Sequence, residues 1–541
     1  MRRNFLQLKM KKSAFSIIGM LFLLNTAYAG GILTNTNQSA QFLRTMARNA
    51  SIDLDAAYYN PAGLTQLQNG FYFGLHNQTA FQTRTINSGS FLKYPEYEGK
   101  VVAPVFPSVF AVYKKGNWAF SAGFGPNGGG GSAEFKKGLP SFEKKIAKLI
   151  PSLAGLSSLG YPVTDYDVDI AFEGTSVFWG IQVGASYKIN DIISVSAGVR
   201  FLPATNTYSG TISNIRLGSA GALVNGQTYL TGAANVATAK AQATSLAASS
   251  LQSLVKGGAG NLTLAQVQGA GYISAAQRAQ LESGLQGLGL SAAQISGISI
   301  SAAQSTYSAA STMLTNTASQ LNENSKNLAD KMVDTQQTGT GITPIVNIDI
   351  HLEKLNIGLR YEHKTTLKLT NSTKVDDIGL FPDGATTRSD LPAIIAGGAE
   401  YKVTPKLKAS GSFTVFLDKN VNWGRNAYDQ DRTIDKNLVE LGFGLEYQLT
   451  KKVAISAGYM NSNTGVSEQF QSDLSFSNDS YTIGSGFQWK LNQRIVLDAG
   501  MMLSTYKNDT KTFTDPSFGT YVETYKKETL TFAFGIGYKI F

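Results

Sequence analysis

Period-two alternation is the feature that most restricts what this chain can become. From Leu441 to Leu449, Leu441, Phe443, Leu445, Tyr447 and Leu449 alternate with Gly442, Gly444, Glu446 and Gln448. Successive side chains of an extended strand point to opposite faces, so this segment presents one wholly apolar face and one small or polar face. The same pattern recurs at Val177, Trp179, Ile181, Val183, Ala185 and Tyr187, and at Ile193, Val195, Ala197, Val199 and Phe201. Further runs cover Leu355–Tyr361, Leu407–Leu417, Val453–Tyr459, Tyr481–Leu491, Ile495–Leu503 and Leu530–Tyr538. A soluble sandwich alternates as well, so the connections carry the distinction. Short polar ones, such as Lys114-Lys115-Gly116-Asn117, Thr450-Lys451-Lys452 and Asn492-Gln493, take turns with long ones. The long ones are Asn87–Ala103, Asn127–Asp165, Ile215–Gly341, Thr370–Arg388, Asp418–Lys436, Asn461–Asn478 and Lys507–Glu523. Tight turns alternating with long loops are the arrangement of outer-membrane barrels. Counting paired segments from Phe71 predicts an all-β membrane protein, an antiparallel transmembrane β-barrel of about fourteen strands over residues 71–541. The ring must close, because an open sheet edge in lipid would leave N–H and C=O groups unpaired.

Composition agrees with export and argues against chemistry. Residues 1–29 read as a secretory leader: Arg2, Arg3, Lys9, Lys11 and Lys12, an apolar run from Ala14 to Leu24, then Ala27-Tyr28-Ala29 before Gly30. These five bases supply half of the formal net charge of +10, so the mature chain lacks the basic excess of a nucleic-acid binder. There is no cysteine and only His76, His351 and His363, which leaves little for thiolate metal sites or His-dependent triads. No Gly-x-Ser-x-Gly is present. The expectation is a non-enzyme with no cofactor. Charged residues are 16% of the chain, against about 25% in soluble domains.

The start of the mature chain departs from the alternating pattern. Over residues 30–70, Arg44, Arg48, Asp53 and Asp55 are mixed with small residues, a poor lipid-facing strand. Gly30-Gly31-Ile32, Asn49-Ala50-Ser51 and Tyr59-Asn60-Pro61-Ala62-Gly63-Leu64 resemble the beginning of long-chain fatty acid transporters of the FadL/TodX type. That resemblance implies an N-terminal hatch, residues 30–70, inside a fourteen-stranded barrel, with Asn60, Pro61 and Ala62 as its motif. It also implies passive uptake of hydrophobic compounds, fatty acids or aromatic hydrocarbons, with lateral exit past a kinked third strand. Read from the residues alone, Asn60-Pro61 is a rigid Asx-Pro turn that also suits an exposed tail.

Gly123 and Gly125 fall on the third strand and are the candidates for that kink; the alternative is a flexible loop base, with Gly128 to Gly131 assigned to the loop. The literal Gly-x-Gly-x-x-Gly here contains Pro126 and has no βαβ context, so nucleotide binding is set aside. A ligand carboxylate would need a cationic partner. Arg200, Arg360 and Arg388 have the parity or position for it, while pairing with Asp349, Glu362, Glu446 or Asp498 is the structural alternative.

Residues 215–341, between strands 5 and 6, are rich in Ala, Ser and Gln and predict an extracellular helical insertion. Ala243, Leu246, Ala247, Leu251, Leu254 and Val255 form one stripe, and Tyr307, Leu314, Leu321 and Leu328 another. Ser-Ala-Ala-Gln at Ser274, Ser291 and Ser301 reads as helix starts with Ser as N-cap. This insertion also supports a second reading, a surface adhesin; a lipid hydrolase is a third and weaker one. The expected partners are hydrophobic small molecules, lipopolysaccharide and outer-membrane lipid, and the barrel assembly machinery, with the chain a monomer. Phe541 is the expected C-terminal assembly signal, but it lies off the parity of Leu530 to Tyr538, and a terminal bulge would reconcile the two.

Overall fold

The computed structural model describes residues 34–423 and 432–541, so the expected leader lies outside the described residues. No described helix is long and apolar enough to cross a membrane. The chain divides into two compact units, one holding residues 34–144, 170–212 and 331–541, the other residues 145–169 and 213–330.

The first unit is the predicted barrel. Among the described residues fourteen strands form its wall: β1 (Gly70–Asn87), β2 (Glu96–Lys115), β3 (Trp118–Phe135), β4 (Asp165–Lys188), β5 (Ile193–Ser219), β6 (Lys331–His351), β7 (Leu355–Glu362), β8 (Ile394–Lys402), β9 (Leu407–Phe416), β10 (Leu438–Gln448), β11 (Val453–Asn463), β12 (Ser480–Lys490), β13 (Ile495–Tyr506) and β14 (Gly519–Lys539). β14 pairs with β1 from Tyr72 opposite Lys539 to Asn87 opposite Thr524, which closes the ring. Short strands at Lys368–Asp376, Thr386–Arg388 and Asp509–Asp515 extend its hairpins.

The alternation resolves as expected. Leu441, Phe443, Leu445 and Tyr447 are exposed on the outside, while Gly442 and Gly444 are buried on the inside. Outward aromatics gather at the short-turn end: Tyr113, Trp118, Tyr187, Tyr401, Tyr447, Trp489 and Tyr538 are all exposed there. Rings that are apolar in body and polar at the tip settle at a membrane–water boundary.

The strands are longer than the pattern foretells. β5 has 27 residues, whereas about 9–11 suffice to cross a bilayer. β5 therefore runs to Ser219 and β6 begins at Lys331, with Ile212 opposite Lys331, so the connection expected over 215–341 narrows to residues 220–330. Likewise β3 runs to Phe135 and takes in Gly128 to Gly131, which the sequence reading assigns to a loop. The reason is physical: alternation needs lipid on one side, and beyond the bilayer both faces are wet while backbone pairing continues.

The C-terminus also differs. β1 and β14 pair without a register shift, so no bulge restores parity. The strand ends at Lys539, and Phe541 lies beyond it with its ring 6.4 Å from that of Phe71.

The second unit is helical. Gly226–Leu254 and Ile300–Asn327 are long helices, with Leu264–Gly269, Ala275–Gly287 and Ala292–Gly297 between them. A Cβ on Gly226 would meet Leu328, and Ser311 bonds the carbonyl of Ala241, so the long helices run antiparallel. The first buries Leu230, Ala233, Ala234, Ala237, Ala241, Thr244, Ala248 and Leu251, a face of small residues that lets two backbones approach closely. The expected stripe through Leu246 is corrected: Leu246 is 73% exposed. Tyr307, Leu321 and Leu328 of the second stripe are buried. Ser274 and Ser291 are N-caps in full capping boxes, as is Thr263. Ser301 is not; Ser299 caps that helix, accepting from the Ala302 N–H.

Candidate functional site

Residues 34–69 lie inside the ring, against inward faces on all sides of it. Helix Ala40–Thr45 starts on Ser39, whose side chain accepts from the Phe42 N–H, and Met46 turns the chain with φ +55°. Its backbone lies so close to the wall that only glycine fits opposite: a Cβ on Gly442 would stand 2.2 Å from the Met46 oxygen, and one on Gly484 2.0 Å from that of Leu43. The small inward positions of the alternating strands thus make room for this segment.

Two buried arginines hold it. Arg48 is bidentate to Asp55 at 2.9 and 2.7 Å and also donates to Ser51 and Asp53. Burial alone would lower the Arg48 pKa, but Asp55 and Asp53 hold it well above its usual value. Burial would raise Asp53, yet Arg48 and Lys408 hold its carboxyl well below the ordinary range. Arg44 pairs with Glu446 and lies 3.1 Å from Asp498, whose other oxygen accepts from Gln41 at 2.8 Å.

The Asn-Pro-Ala turn is gripped by the wall at each residue. Asn60 donates to Asp349 at 2.7 Å, Ser186 donates to the Pro61 carbonyl at 2.7 Å, and the Ala62 N–H donates to Asn347 at 2.7 Å. A side chain on Gly63 would meet Asn60 and the Ser51 carbonyl. Just before the turn, Tyr58 has the guanidinium of Arg200 at 4.8 Å and that of Arg360 at 5.1 Å over its ring. Arg200 is 2.5 Å from Glu362 and donates to Gln182 at 2.6 Å; Arg360 is 3.3 Å from the same Glu362 and donates to the Tyr58 carbonyl. Burial pushes the Tyr58 hydroxyl up to about 12. Two guanidiniums therefore share one carboxylate. Arg388 stands apart, half exposed and 2.6 Å from Asp390.

The wall is interrupted on one side of β2. β2 and β3 pair from Lys115 opposite Trp118 to Val109 opposite Phe124, and then only at Lys100 opposite Glu134 and Gly99 opposite Phe135. Between these, residues 101–108 and 125–133 have no partners in each other. Pro104 and Pro107 remove donors on β2, Pro126 removes one on β3, and Gly129 and Gly131 have φ of +92° and +70°. β3 shifts register against β4 at Pro126, Gly128 and Gly131. Buried backbone groups need partners, and the N-terminal segment supplies them: Asn35 N–H donates to the Asn127 carbonyl at 2.9 Å, and Asn35 and Gln38 side chains donate to the Pro126 carbonyl. Thr34 bridges to Gly128. Gly125 is in the interruption, where a Cβ would stand 2.4 Å from Gln38; Gly123 lies in the regular part, opposite Phe110.

Small cavities adjoin these parts. One is lined by Phe42, Met46, Tyr59, Arg360, Glu440 and Met460 among others. Another lies behind the interruption, against Tyr58, Phe110, Gly125, Gln182 and Arg200. A mostly apolar one is at the long-loop end, between Phe142, Phe172, Ile212, Met332, Leu380 and Phe381. Phe142 comes from the helix Pro140–Ala147, whose buried face includes Ile146. Among the described residues no group of His, Asp and Glu is arranged to hold a metal.

Sequence reading missed two parts of this site. The prolines of β2 were a usable signal, since Pro inside a strand marks an edge or a break. The apolar cavity had none, because Phe172, Met332 and Phe381 come from distant segments.

No protein-family model matches the chain, and no curated protein matches it in sequence. Solved structures do. A Pseudomonas aeruginosa FadL homologue superposes with a TM-score of 0.55 at 13% identity, covering 94% of this chain and 100% of its own. The Pseudomonas putida toluene transporter TodX gives 0.50 at 10% identity, covering 94% and 99%. With its closed fourteen-stranded ring and its N-terminal segment inside, the chain has the fold of the FadL/TodX-type outer-membrane channels.

Proposed function

We propose that this chain takes up hydrophobic compounds, long-chain fatty acids or aromatic hydrocarbons, across the outer membrane by passive diffusion, with residues 34–69 as a hatch and the β2–β3 interruption as a lateral exit. The observation that carries this reading is the interruption itself. A wall that must keep water from lipid is left unpaired toward β3 over eight residues of β2, and Asn35 and Gln38 bond the β3 side of that gap from within. A water-filled porin has no use for such a seam.

Energetics favour an apolar route. Each buried CH₂ contributes about 0.8 kcal/mol, so the apolar cavity at Phe142, Phe172 and Phe381 can collect an acyl or aromatic ligand from dilute solution. The ligand passes to the inner cavities beside Tyr58, where Arg200 and Arg360, with one carboxylate between them, offer a partner to an anionic end. Withdrawal of residues 34–38 from Pro126 and Asn127 then opens the wall beside Gly125 toward the bilayer. No step needs a nucleotide or a catalytic base. Neighbours named as a FadL homologue and a toluene transporter support the same class of cargo.

Uptake of labelled palmitate and toluene by cells carrying or lacking the gene tests this. Faster accumulation of at least one of them with the gene is expected; equal accumulation of both would remove the reading.

A further inference from the structure

The two ends of the barrel treat charge differently. At the long-loop end exposed acids, among them Glu96, Glu98, Glu134, Asp383 and Asp435, accompany the bases, and some bases pair with an acid: Arg388 with Asp390 at 2.6 Å, Lys374 with Asp334 at 3.1 Å, Lys144 with Glu523 at 2.6 Å and Lys507 with Asp479 at 3.7 Å. At the short-turn end the acids are nearly missing. Lys115, Lys354, Lys402, Lys406, Lys451, Lys452, Lys490 and Arg494 are all exposed at or beside the tight turns. The exposed acids there are Asp191, which is engaged by Lys188 at 2.8 Å, and Glu353. None of the eight bases has an ion-pair partner among the described residues.

Their height on the barrel is set by a second, independent feature. In chain order Trp118 follows Lys115 by three residues, Tyr401 precedes Lys402, and Trp489 precedes Lys490. These exposed rings belong to the outward aromatic belt at the short-turn end. Aromatic belts lie at the boundary of hydrocarbon and headgroups, so the bases immediately beyond them stand at the level of lipid phosphates. Flexible lysines reach along such a surface with the stem in the apolar layer and the ammonium in the polar one, and clustered cations draw anionic lipid within a Debye length.

We propose that this ring of bases binds anionic phospholipid headgroups of the leaflet that borders the short turns, selecting them over zwitterionic ones. The ring sets the depth and tilt of the barrel and lies apart from the cavities, so the inference does not depend on the cargo.

The test uses the full mature chain in vesicles of phosphatidylcholine and phosphatidylglycerol, with Trp179→Phe and Trp423→Phe so that Trp118 and Trp489 alone report. Heat-modifiable gel mobility verifies folding of each variant. Quenching by dibrominated phosphatidylglycerol is expected to exceed that by dibrominated phosphatidylcholine about twofold, and to fall to parity at about 1 M salt, where screening is within ~3 Å. The quadruple variant Lys402→Gln, Lys406→Gln, Lys451→Gln, Lys452→Gln is expected to lose most of the preference while folding normally. Equal quenching by both lipids, or a preference unchanged in the folded variant, overturns the proposal. So does tight binding of a soluble acidic polypeptide to these turns without any lipid preference.

Discussion

β2 has two edges that behave in opposite ways. Toward β1 it pairs from Glu96 to Lys114 with a single shift between Gln78 and Ala80 of its partner. Toward β3 its pairing stops after Val109 and resumes only at Lys100. The lipid outside is the same on both sides, so the bilayer does not dictate the difference. The local chemistry does: β3 brings Pro126 and a glycine run, and the donors that β2 withholds are replaced from inside by residues 34–38. The β3 seam is bonded by a separate N-terminal segment, whereas the β1 seam is held by the wall itself.

If the proposed withdrawal of residues 34–38 opens the wall, the largest effect should come from locking that side. Thr34 and Gly128 form an antiparallel bridge, and such pairs place Cα atoms within disulfide range, about 4.5–5.5 Å. In this cysteine-free chain, Thr34→Cys with Gly128→Cys is expected to abolish uptake when oxidised and to restore it under reductant. Thr83→Cys with Lys100→Cys, across the β1 seam, should leave uptake unchanged. If both pairs behave alike, the two seams are not functionally different.

Loosening the segment comes next. Arg48 is fully buried among Asp53, Asp55 and Glu400, and removing one partner of a buried ion pair costs about 3–5 kcal/mol. Arg48→Gln should raise the conductance of planar bilayers containing the protein. Arg388→Gln, at a half-exposed pair worth about 0–1 kcal/mol, should not. Equal conductances in the two variants would place the restraint elsewhere.

The smallest effect sharpens the seam to single residues. A Cβ at Gly125 collides with Gln38, whereas at Gly123 the nearest atom is Phe110 Cδ1 at 3.7 Å. Gly125→Val should change the uptake rate about tenfold, equivalent to ~1.4 kcal/mol in a barrier. Gly123→Ala should stay close to the parent rate. Matching rates would show that the interruption tolerates side chains and that the contact with Gln38 is incidental.

Much of the wall was readable beforehand. Leu441 to Leu449 and its relatives announce their faces because lipid and lumen impose opposite demands on alternate residues. Where one demand ceases the reading fails, as at the far ends of β3, β5 and β6. The same cause misplaced Leu246: on a helix of Ala and Ser, packing is decided by how closely backbones approach, and the largest side chain need not face inward. At Arg200 and Arg360 the inward parity was legible, but not their convergence on Glu362 and Tyr58, since these come from β5, β7 and the N-terminal segment.

By itself, the sequence determined a closed, lipid-facing ring of alternating strands, because every unpaired backbone group in hydrocarbon is costly and periodicity records which face is wet. Only the tertiary structure decided where that ring is left open and what closes it. The missing partners are local facts of Pro104 and Pro107 on β2 and of Pro126 on β3, but the groups that bond the Pro126 carbonyl, on Asn35 and Gln38, are roughly 90 residues away in the chain and meet it through folding alone.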